Sequence, residues 1–248
     1  MIVYSIINHK GGTGKTTTAI NLGAALKRRA KDVLLIDLDP QGNLSYSLGV
    51  NEFSQSMADA LLGECSLGDV MEIREGITVA PSDNNLADTE LSLARSEGQE
   101  KVLSQMLTDA KGFDFVLIDC PPSLSTLTLN ALLAADKVII PMQMEVLSLQ
   151  GLDQIVDTIN KVQTSYDKDL SIEGVLPVMV DKRRKLSIEV EDYIKENYDL
   201  RIFKSHIRNN VKASEAPSFG KSVISYKPTS NSAVDYMHFA DEILELNV

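Results

Sequence analysis

Residues 8–18 read NHKGGTGKTTT, and this stretch decides the fold because a glycine-rich loop ends in a lysine and threonines. The phosphate-binding loop has the pattern G-x-x-x-x-G-K-[ST], and Gly14–Thr16 match its last three positions. The pattern also requires a first glycine, but this chain has His9 there, followed by a second lysine, Lys10. The stretch is therefore either a damaged nucleotide site or a different kind of nucleotide site.

The sequence around the loop supplies the context that phosphate binding needs. An apolar, β-branched run predicts a strand before the loop, and a helical pattern predicts a helix after it. Glycines let backbone N–H groups point toward an anion, and the helix N-terminus adds positive potential. We expect Lys15 to reach the β- and γ-phosphates, Thr16 to bind Mg²⁺ and Thr17 to make a further phosphate contact. A glycine-rich turn without a ligand is the weaker interpretation.

Strand and helix patterns alternate along almost the whole chain. The predicted strands are Ile2–Asn8, Val33–Asp37, Thr78–Ala80, Phe115–Asp119, Lys137–Pro141, Gly174–Val180 and Ile202–Ile207. The predicted helices are Lys15–Arg29, Leu86–Ala110, Ser123–Ala135, Leu149–Ser165, Leu186–Asn197 and Ser232–Leu246. This pattern predicts a doubly wound α/β fold, with a mostly parallel sheet covered by helices on both faces. We expect a single domain over residues 1–248.

Aspartates end two of the predicted buried strands. Asp119 follows an apolar run, and Asp37 and Asp39 stand at the end of another. Ligands of such sheets bind beyond the carboxyl ends of the strands, and Mg²⁺ prefers oxygen ligands. One such aspartate is often only a turn former or a helix cap, but three of them beside a phosphate loop predict a metal–nucleotide site.

The composition is that of an ordinary globular protein, with 44% apolar and 24% charged residues. No apolar run approaches the length of about 18 residues that predicts a membrane span. The first residues lack the basic region of a secretion signal, and two cysteines, Cys65 and Cys120, do not indicate a disulfide framework. We therefore expect a cytoplasmic protein.

The net charge of −11 is unevenly distributed along the chain. Residues 51–100 hold eleven acidic side chains against two arginines, for a net charge of −9. Residues 201–227 hold six basic side chains against Glu215, for a net charge of +5, and the run KRRK lies at 182–185. A local basic face on an acidic protein is one interpretation, and charges scattered over solvated surfaces are the other.

Three segments together resemble the deviant Walker-A ATPases of the ParA/MinD class of P-loop NTPases. They are KGGTGKTT at 10–17, DLDPQGN at 37–43 and IDCPPSL at 118–124. The segments PMQMEVLSLQGL at 141–152 and NNVKASEAPSFGKSV at 209–223 are similar to the ParA, Soj-like side of that class. The resemblance covers nearly the whole chain, and the motifs occur in the family's order.

The resemblance implies a slow ATPase that dimerises around ATP and Mg²⁺. Lys10 is then the residue that reaches the phosphates bound by the other subunit, much as an arginine finger does. Asp39 is implied to position the attacking water, and Asp37 and Asp119 to surround a magnesium ion that Thr16 binds directly. The implied catalytic residues are Lys10, Lys15 and Asp39. The implied nucleotide contacts are Lys10, Gly11, Gly12, Thr13, Gly14, Lys15, Thr16, Thr17 and, on the adenine side, Arg208 and Asn209.

The resemblance also implies a function. ParA-like proteins bind DNA non-specifically as ATP dimers, and a ParB-like centromere-binding partner stimulates hydrolysis during plasmid or chromosome partition. We expect this function and a location on the nucleoid. A related ATPase that positions another cargo on the nucleoid is the first alternative. A MinD-like membrane-associated division regulator is the second, but the C-terminal stretch AVDYMHFADEILELNV has acidic residues and no lysine or arginine.

The DNA-contact residues depart from the family's pattern. Family members often carry arginines in a PRSRGA segment, and the matching KPTSNSA has Thr229 and Asn231 in their places. Basic residues elsewhere in the C-terminal third are the alternative phosphate contacts. We expect these to be Lys182, Arg183, Arg184, Lys185, Lys204, Lys212, Lys221 and Lys227. Because a predicted strand begins at Ile2, we expect no N-terminal helix-turn-helix domain.

Overall fold

The computed structural model describes residues 1–95, 98–180 and 185–247, with the backbone alone at 185 and 186. Within these ranges the strands are β1 (Ile2–Ile6), β2 (Val33–Asp37), β3 (Glu72–Arg74), β4 (Ile77–Ala80), β5 (Phe115–Asp119), β6 (Lys137–Met142), β7 (Ser171–Val180) and β8 (Ile207–Arg208). The longer helices are α1 (Lys15–Arg28), α4 (Asn85–Leu93), α5 (Val102–Thr108), α6 (Thr126–Ala134), α7 (Val146–Tyr166), α8 (Lys185–Asn197) and α11 (Asn231–Glu245). The short helices are α2 (Asn43–Ser47), α3 (Met57–Leu61), α9 (Val211–Glu215) and α10 (Val223–Tyr226).

The strands form one sheet in the order β3-β4-β2-β5-β1-β6-β7-β8. All neighbouring strands run parallel except β3 and β4, which form an antiparallel hairpin at one edge. The phosphate loop follows β1, which lies between β5 and β6 near the centre. In the register of β2 and β5, Asp37 pairs with Asp119, so two aspartates end adjacent strands side by side.

Strand residues alternate between two hydrophobic layers, one on each face of the sheet. Along β5, Val116 and Ile118 face one layer, whereas Phe115 and Leu117 face the other. The first layer includes buried residues of α3 to α8, and the second includes those of α1, α2, α10 and α11. Successive side chains of a strand point to opposite faces, so nearly continuous apolar strands require helices on both. The structure confirms the doubly wound α/β fold.

Helix α1, which carries the phosphate loop at its N-terminus, is tied to the C-terminal segment by polar contacts. The Thr18 and Tyr236 hydroxyls lie 3.3 Å apart, and the Val223 N–H donates to Asn21 Oδ1 at 2.7 Å. These buried polar groups are hydrogen-bonded to each other rather than to water. They therefore fix the position of the helix without leaving these polar atoms unpaired in the core.

Two predicted elements differ from the structure in more than their bounds, and one strand was not predicted. The predicted helix Leu86–Ala110 is interrupted: α4 ends at Leu93, Gly98 adopts a positive φ of 79°, and α5 begins at Val102. The predicted strand Ile202–Ile207 is reduced to Ile207–Arg208, because the Lys204 and Ser205 N–H groups donate to the Glu242 carboxylate instead of a neighbouring strand. The edge strand β3 was not predicted, because Glu72-Ile73-Arg74 is too short and polar to show a strand pattern.

Gly174 in β7 gives a test of the packing on this side of the sheet. A Cβ atom on Gly174 would lie 3.0 Å from the Arg201 carbonyl oxygen and 3.0 Å from the Phe203 ring. Phe203 is buried and packs edge-on against Phe239, with ring centroids 4.9 Å apart, so it has no room to retreat. We expect Gly174→Ala to lower the free energy of unfolding by about 1–3 kcal/mol.

Urea unfolding of Gly174→Ala beside Gly68→Ala measures this effect. The added Cβ of the control would meet only Ser66 Oγ, at 3.6 Å, so we expect a change within about 0.5 kcal/mol. Equal stabilities of the two variants would show that β7 and the Phe203 segment are not packed as described.

Candidate functional site

The phosphate loop forms an open cradle at the carboxyl end of β1. Gly12 and Gly14 have positive φ angles of 72° and 80°, a backbone conformation that residues with a Cβ atom rarely adopt. A Cβ atom on Gly11, Gly12 or Gly14 would meet nothing within 4 Å, so there is open space beside the loop. Helix α1 begins directly after Gly14, and the first N–H groups of a helix have no partner within it. The cradle has the geometry of an anion site.

Asn8 holds the start of the loop, a role that the sequence analysis missed. Its side-chain amide donates to the Pro141 carbonyl oxygen at 2.7 Å, and its Oδ1 accepts from the Lys10 N–H at 3.0 Å. The Thr13 hydroxyl closes the turn by donating to the Lys10 carbonyl oxygen at 3.1 Å. The loop is therefore shaped by the protein itself. A polar residue at the end of a buried strand was the available signal for Asn8.

The two lysines of the loop lie in different environments. Lys15 is 7% exposed, and burial lowers its pKa, while the Asp119 carboxylate opposes this shift. The Lys10 side chain is 47% exposed, and its Nζ lies 3.8 Å from Glu145 Oε2. Lys15 thus faces the interior of its own site, whereas Lys10 lies on the outer surface of the same loop.

Asp37 is fully buried but well provided with hydrogen bonds. Its carboxylate accepts from the Ser45 N–H at 2.9 Å, the Ser45 hydroxyl at 2.7 Å and the Asp39 N–H at 3.2 Å. Burial nevertheless raises the pKa of Asp37 to about 6, and the hydrogen bonds only partly oppose this shift. Ser45 lies in helix α2, eight positions away, and no local pattern indicated that it would hold this carboxylate.

Asp119 is buried beside Asp37 without comparable support. Neither of its carboxylate oxygens has a hydrogen-bond partner within the described parts of the chain. Burial and then the neighbouring Asp37 raise the pKa of Asp119 well above its usual range, while the nearby Thr16 hydroxyl and Lys15 oppose the shift. Two adjacent buried carboxylates, one of them unpartnered, leave a need for positive charge at this point.

These residues fit a magnesium ion. Among the described residues, no group of three or more His, Cys, Asp or Glu side chains could hold a metal by itself. Mg²⁺ does not need such a cage, because it is usually held by one or two protein oxygens together with waters and substrate phosphates. The unpartnered oxygens of Asp119 and the hydroxyl of Thr16 are suitable hard ligands, with Asp37 behind them.

Asp39 lies in a turn that is anchored from two sides. Its Oδ1 accepts from the Gln41 N–H at 3.0 Å, and its carbonyl oxygen accepts from the Ser82 hydroxyl at 2.9 Å. Gly42 has a φ of 59°, and a Cβ there would lie 2.9 Å from the Ser82 carbonyl oxygen. The turn therefore needs Gly42 and Ser82, neither of which was predicted as a site residue. Asp39 itself is 9% exposed and lies just past Asp37.

Arg208 ends strand β8, and Asn209 follows it directly. The Arg208 guanidinium binds the Asp235 carboxylate through Nη2 at 2.6 Å and Nε at 2.9 Å. Arg208 lines an open cavity of about 360 Å³ with Asp235 and four further residues: Lys204, Ser205, His206 and His238. Beside Thr16 and Thr17 there is a different, small pocket, which Pro217 also lines. The adenine-side role of Arg208 and Asn209 stays a prediction.

The candidate DNA-contact residues occupy several places. Lys182, Arg183 and Arg184 lie outside the described residues, as does the side chain of Lys185. Lys204 and Lys227 are exposed, and Lys221 is exposed beside the phosphate-loop helix. Lys212 donates a hydrogen bond to Glu215 at 2.6 Å. This contact agrees with the alternative interpretation, in which the charges are scattered over solvated surfaces. Their part in DNA binding stays a prediction.

The buried carboxylate pair generates a stability prediction. Without metal, the folded protein must either keep a charge on Asp119 or take up a proton that the unfolded chain does not hold, and this cost grows as the pH rises. Asp119→Asn removes the cost without changing the shape of the side chain. We expect this variant, in EDTA at pH 7.5, to gain about 1–2 kcal/mol in free energy of unfolding.

Urea unfolding at several pH values tests this expectation. The gain should shrink as the pH falls toward 4, because the wild-type carboxyl group is then neutral in the folded state. The exposed control Asp169→Asn should leave the stability unchanged at every pH. A destabilised Asp119→Asn protein would mean that this carboxylate is satisfied without a cation.

Comparisons with known proteins find relatives over nearly the whole chain. A family model described as an AAA domain matches residues 1–172. The Bacillus subtilis protein named sporulation initiation inhibitor protein Soj is 42% identical, over 97% of each chain. The chromosome partitioning protein ParA of Caulobacter vibrioides is 40% identical, over 98% of this chain and 93% of the relative.

A solved structure shows the same fold with a nucleotide bound. It is the cobyrinic acid a,c-diamide synthase of Mycobacterium smegmatis with an ATP analogue and magnesium. It has a TM-score of 0.86 and 37% sequence identity, and the match covers 98% of this chain and 94% of that one. Together with the curated relatives, this likeness extends over almost the full length. The chain therefore belongs to the Soj/ParA family of P-loop ATPases.

Proposed function

We propose that this chain is a Mg²⁺-dependent ATPase that dimerises around ATP, binds DNA non-specifically in that state and drives plasmid or chromosome partition. A ParB-like centromere-binding partner stimulates its hydrolysis. The observation that carries the proposal is the different placement of two lysines on one phosphate loop, Lys15 buried and Lys10 at the surface. A site that acts alone needs only the first of them.

The buried residues account for nucleotide binding and slow hydrolysis. The N–H groups of the loop and Lys15 would bind the phosphates, and Thr16 with the aspartate pair would hold Mg²⁺, which would neutralise the charge that develops on the phosphates. Asp39 lies in an anchored turn just past the metal ligands, where a carboxylate positions water for in-line attack. Phosphoryl transfer is slow when part of the charge-stabilising and water-positioning machinery is missing, so hydrolysis is slow until a partner completes the site.

Lys10 supplies the link between nucleotide and dimer. In a nucleotide-free dimer two such lysines would face each other, and their repulsion would oppose association. ATP brings the negative charge that each lysine needs, so dimerisation follows ATP binding. Glu145 holds Lys10 at 3.8 Å in the single chain and keeps the cation at the surface.

The surface next to Lys10 is suited to association. Val146 and Leu147, at the start of α7, are 57% and 80% exposed, and Leu124 in the turn after β5 is 54% exposed. All three follow segments that end at the carboxyl edge of the sheet, the edge that carries the loop. Exposed apolar side chains around a site are typical of surfaces that bind another protein.

Helix α11 is poorly suited to membrane binding, which favours DNA over a membrane as the surface on which the protein acts. Its apolar residues Tyr236, Phe239 and Ile243 are buried in the core. Its acidic residues are used internally, since Asp241 pairs with Arg29 at 2.6 Å and Asp235 pairs with Arg208. A membrane-binding helix needs a free apolar face flanked by basic residues. Among the described helices, none is both long and apolar enough to span a bilayer.

The role of Lys10 gives the first test. We expect Lys10→Ala to bind ATP with little loss, because Lys15 and the loop N–H groups are unchanged, but to weaken ATP-dependent dimerisation more than about tenfold. Sedimentation velocity with a slowly hydrolysed ATP analogue measures the fractions of monomer and dimer. Lys161→Ala, an exposed lysine on α7, is the matched control and should dimerise as wild type does. A Lys10→Ala protein that dimerises normally would contradict the proposal.

DNA binding gives the second test. The anisotropy of a labelled random-sequence duplex is measured with ATP, ADP or no nucleotide, at two salt concentrations. We expect binding with ATP alone, which falls by about 10³-fold or more between 50 and 200 mM salt if six or more phosphates are contacted by the dimer. Lys10→Ala should bind as weakly as the ADP form. Equal binding with ADP, or none while the ATP dimer forms, would contradict the DNA switch.

A further inference from the structure

An open groove of about 530 Å³ lies between the turn that follows α3 and the helix α5. Its apolar floor consists of six side chains: Cys65, Met71, Val102, Met106, Ala110 and Phe113. We call it the α5 groove. None of the residues that line it belongs to the phosphate loop, the aspartate pair or the surface beside Lys10.

The floor is an extension of the core that remains open to water. All six floor residues are partly buried and pack against the hydrophobic layer on that face of the sheet. Two methionines and a thiol contribute polarisable, adaptable surface, which suits binding of apolar side chains of varied shape. A groove of this volume accepts several side chains of another molecule.

Acidic residues flank the Cys65 end of the groove. Asp59, Glu64 and Asp69 each adjoin in the chain a residue that lines the groove, namely Ala60, Cys65 and Gly68. Their negative charges raise the pKa of the Cys65 thiol, after the larger effect of burial. Asp59 and Asp69 are fixed there, because each accepts a hydrogen bond from the backbone N–H three residues earlier, at 2.7 Å from Ser56 and 2.9 Å from Ser66. At the other end Asp109 is accompanied by Lys111. The net negative charge is therefore concentrated at the Cys65 end.

The proposal is about the occupant of this groove. We propose that the α5 groove binds a basic amphipathic segment of a partner protein, whose apolar side chains cover the methionine floor and whose lysines or arginines meet the acidic end. Apolar floor and charged rim together are the arrangement by which helix-in-groove recognition works. The charge complementarity steers association and selects against acidic segments.

A second copy of the chain is a poor occupant of the same groove. A twofold axis parallel to the groove would bring two sets of Asp59, Glu64 and Asp69 together, and like charges across an interface oppose binding. A twofold axis perpendicular to the groove would offer each acidic end only Asp109 and Lys111 of the other copy. The stretch of sequence 51–100, to which Asp59, Glu64 and Asp69 belong, carries a net charge of −9. The proposal is independent of the ATPase cycle, because it uses none of the residues in the nucleotide site.

Cys65 provides a built-in reporter. It is the only partly exposed cysteine, since the chain's other cysteine, Cys120, is fully buried. The probe is a synthetic amphipathic helix of leucine and lysine, and its control has glutamate in place of lysine. We expect the lysine probe to slow alkylation of Cys65 by N-ethylmaleimide about fivefold or more at saturation, and the glutamate peptide to have no effect. High salt should weaken the protection.

Paired variants locate the binding. Met106→Lys places on the floor a positive charge that repels the lysines of the probe. Glu64→Lys reverses one charge at the acidic end of the groove. We expect each to raise the Kd of the lysine probe about tenfold. Leu91→Lys and Glu52→Lys make the same changes at exposed positions outside the groove and should bind as wild type does. Thermal unfolding of every variant shows that it is folded before binding is measured.

Three results would overturn the proposal. They are no protection of Cys65 by the lysine probe, equal protection by the glutamate peptide, or equal loss of binding in the groove and control variants. The last result would mean that the probe binds the acidic surface in general. ATP binding and dimerisation should be unchanged in all four variants, so the outcome is separate from that of the proposed function.

Discussion

The pairing of Asp37 with Asp119 is the constraint on which the site depends. Parallel strands in register bring both carboxylates to one buried point, and burial raises the pKa of each. Ser45 satisfies the first carboxylate, whereas the second has no hydrogen-bond partner in the described structure. The protein therefore keeps a local destabilisation in its core, which either a bound proton or a cation at this point would relieve. Such a cost is common where function and packing conflict.

The residues that could be predicted are those whose role is encoded locally. The phosphate loop is recognised from neighbouring residues, because the turn, the glycines and the following helix N-terminus act within a few positions. Asp37 and Asp119 were predicted because each directly follows an apolar run. Such local patterns were enough to place β1, β2 and β5, and thereby most of the candidate site.

Other parts depend on contacts between distant residues, which no local pattern shows. Asn8 was missed because its partner, Pro141, is 133 positions away, and Ser82 because it holds Asp39 from 43 positions away. The Ile202–Ile207 segment has a strand pattern, but a distant carboxylate takes two of its N–H groups. In this segment and at Gly98, tertiary contacts or a single glycine override the local pattern.

The capture of the Lys204 and Ser205 N–H groups by Glu242 has a consequence for solubility. The segment leads into β8, the last strand at one margin of the sheet, where free backbone donors would invite another chain to add a strand. With these two donors occupied from within, an incoming strand gains fewer hydrogen bonds there. The Glu242 side chain thus makes edge-to-edge aggregation less favourable. This effect matters most where many copies of the protein gather on one surface.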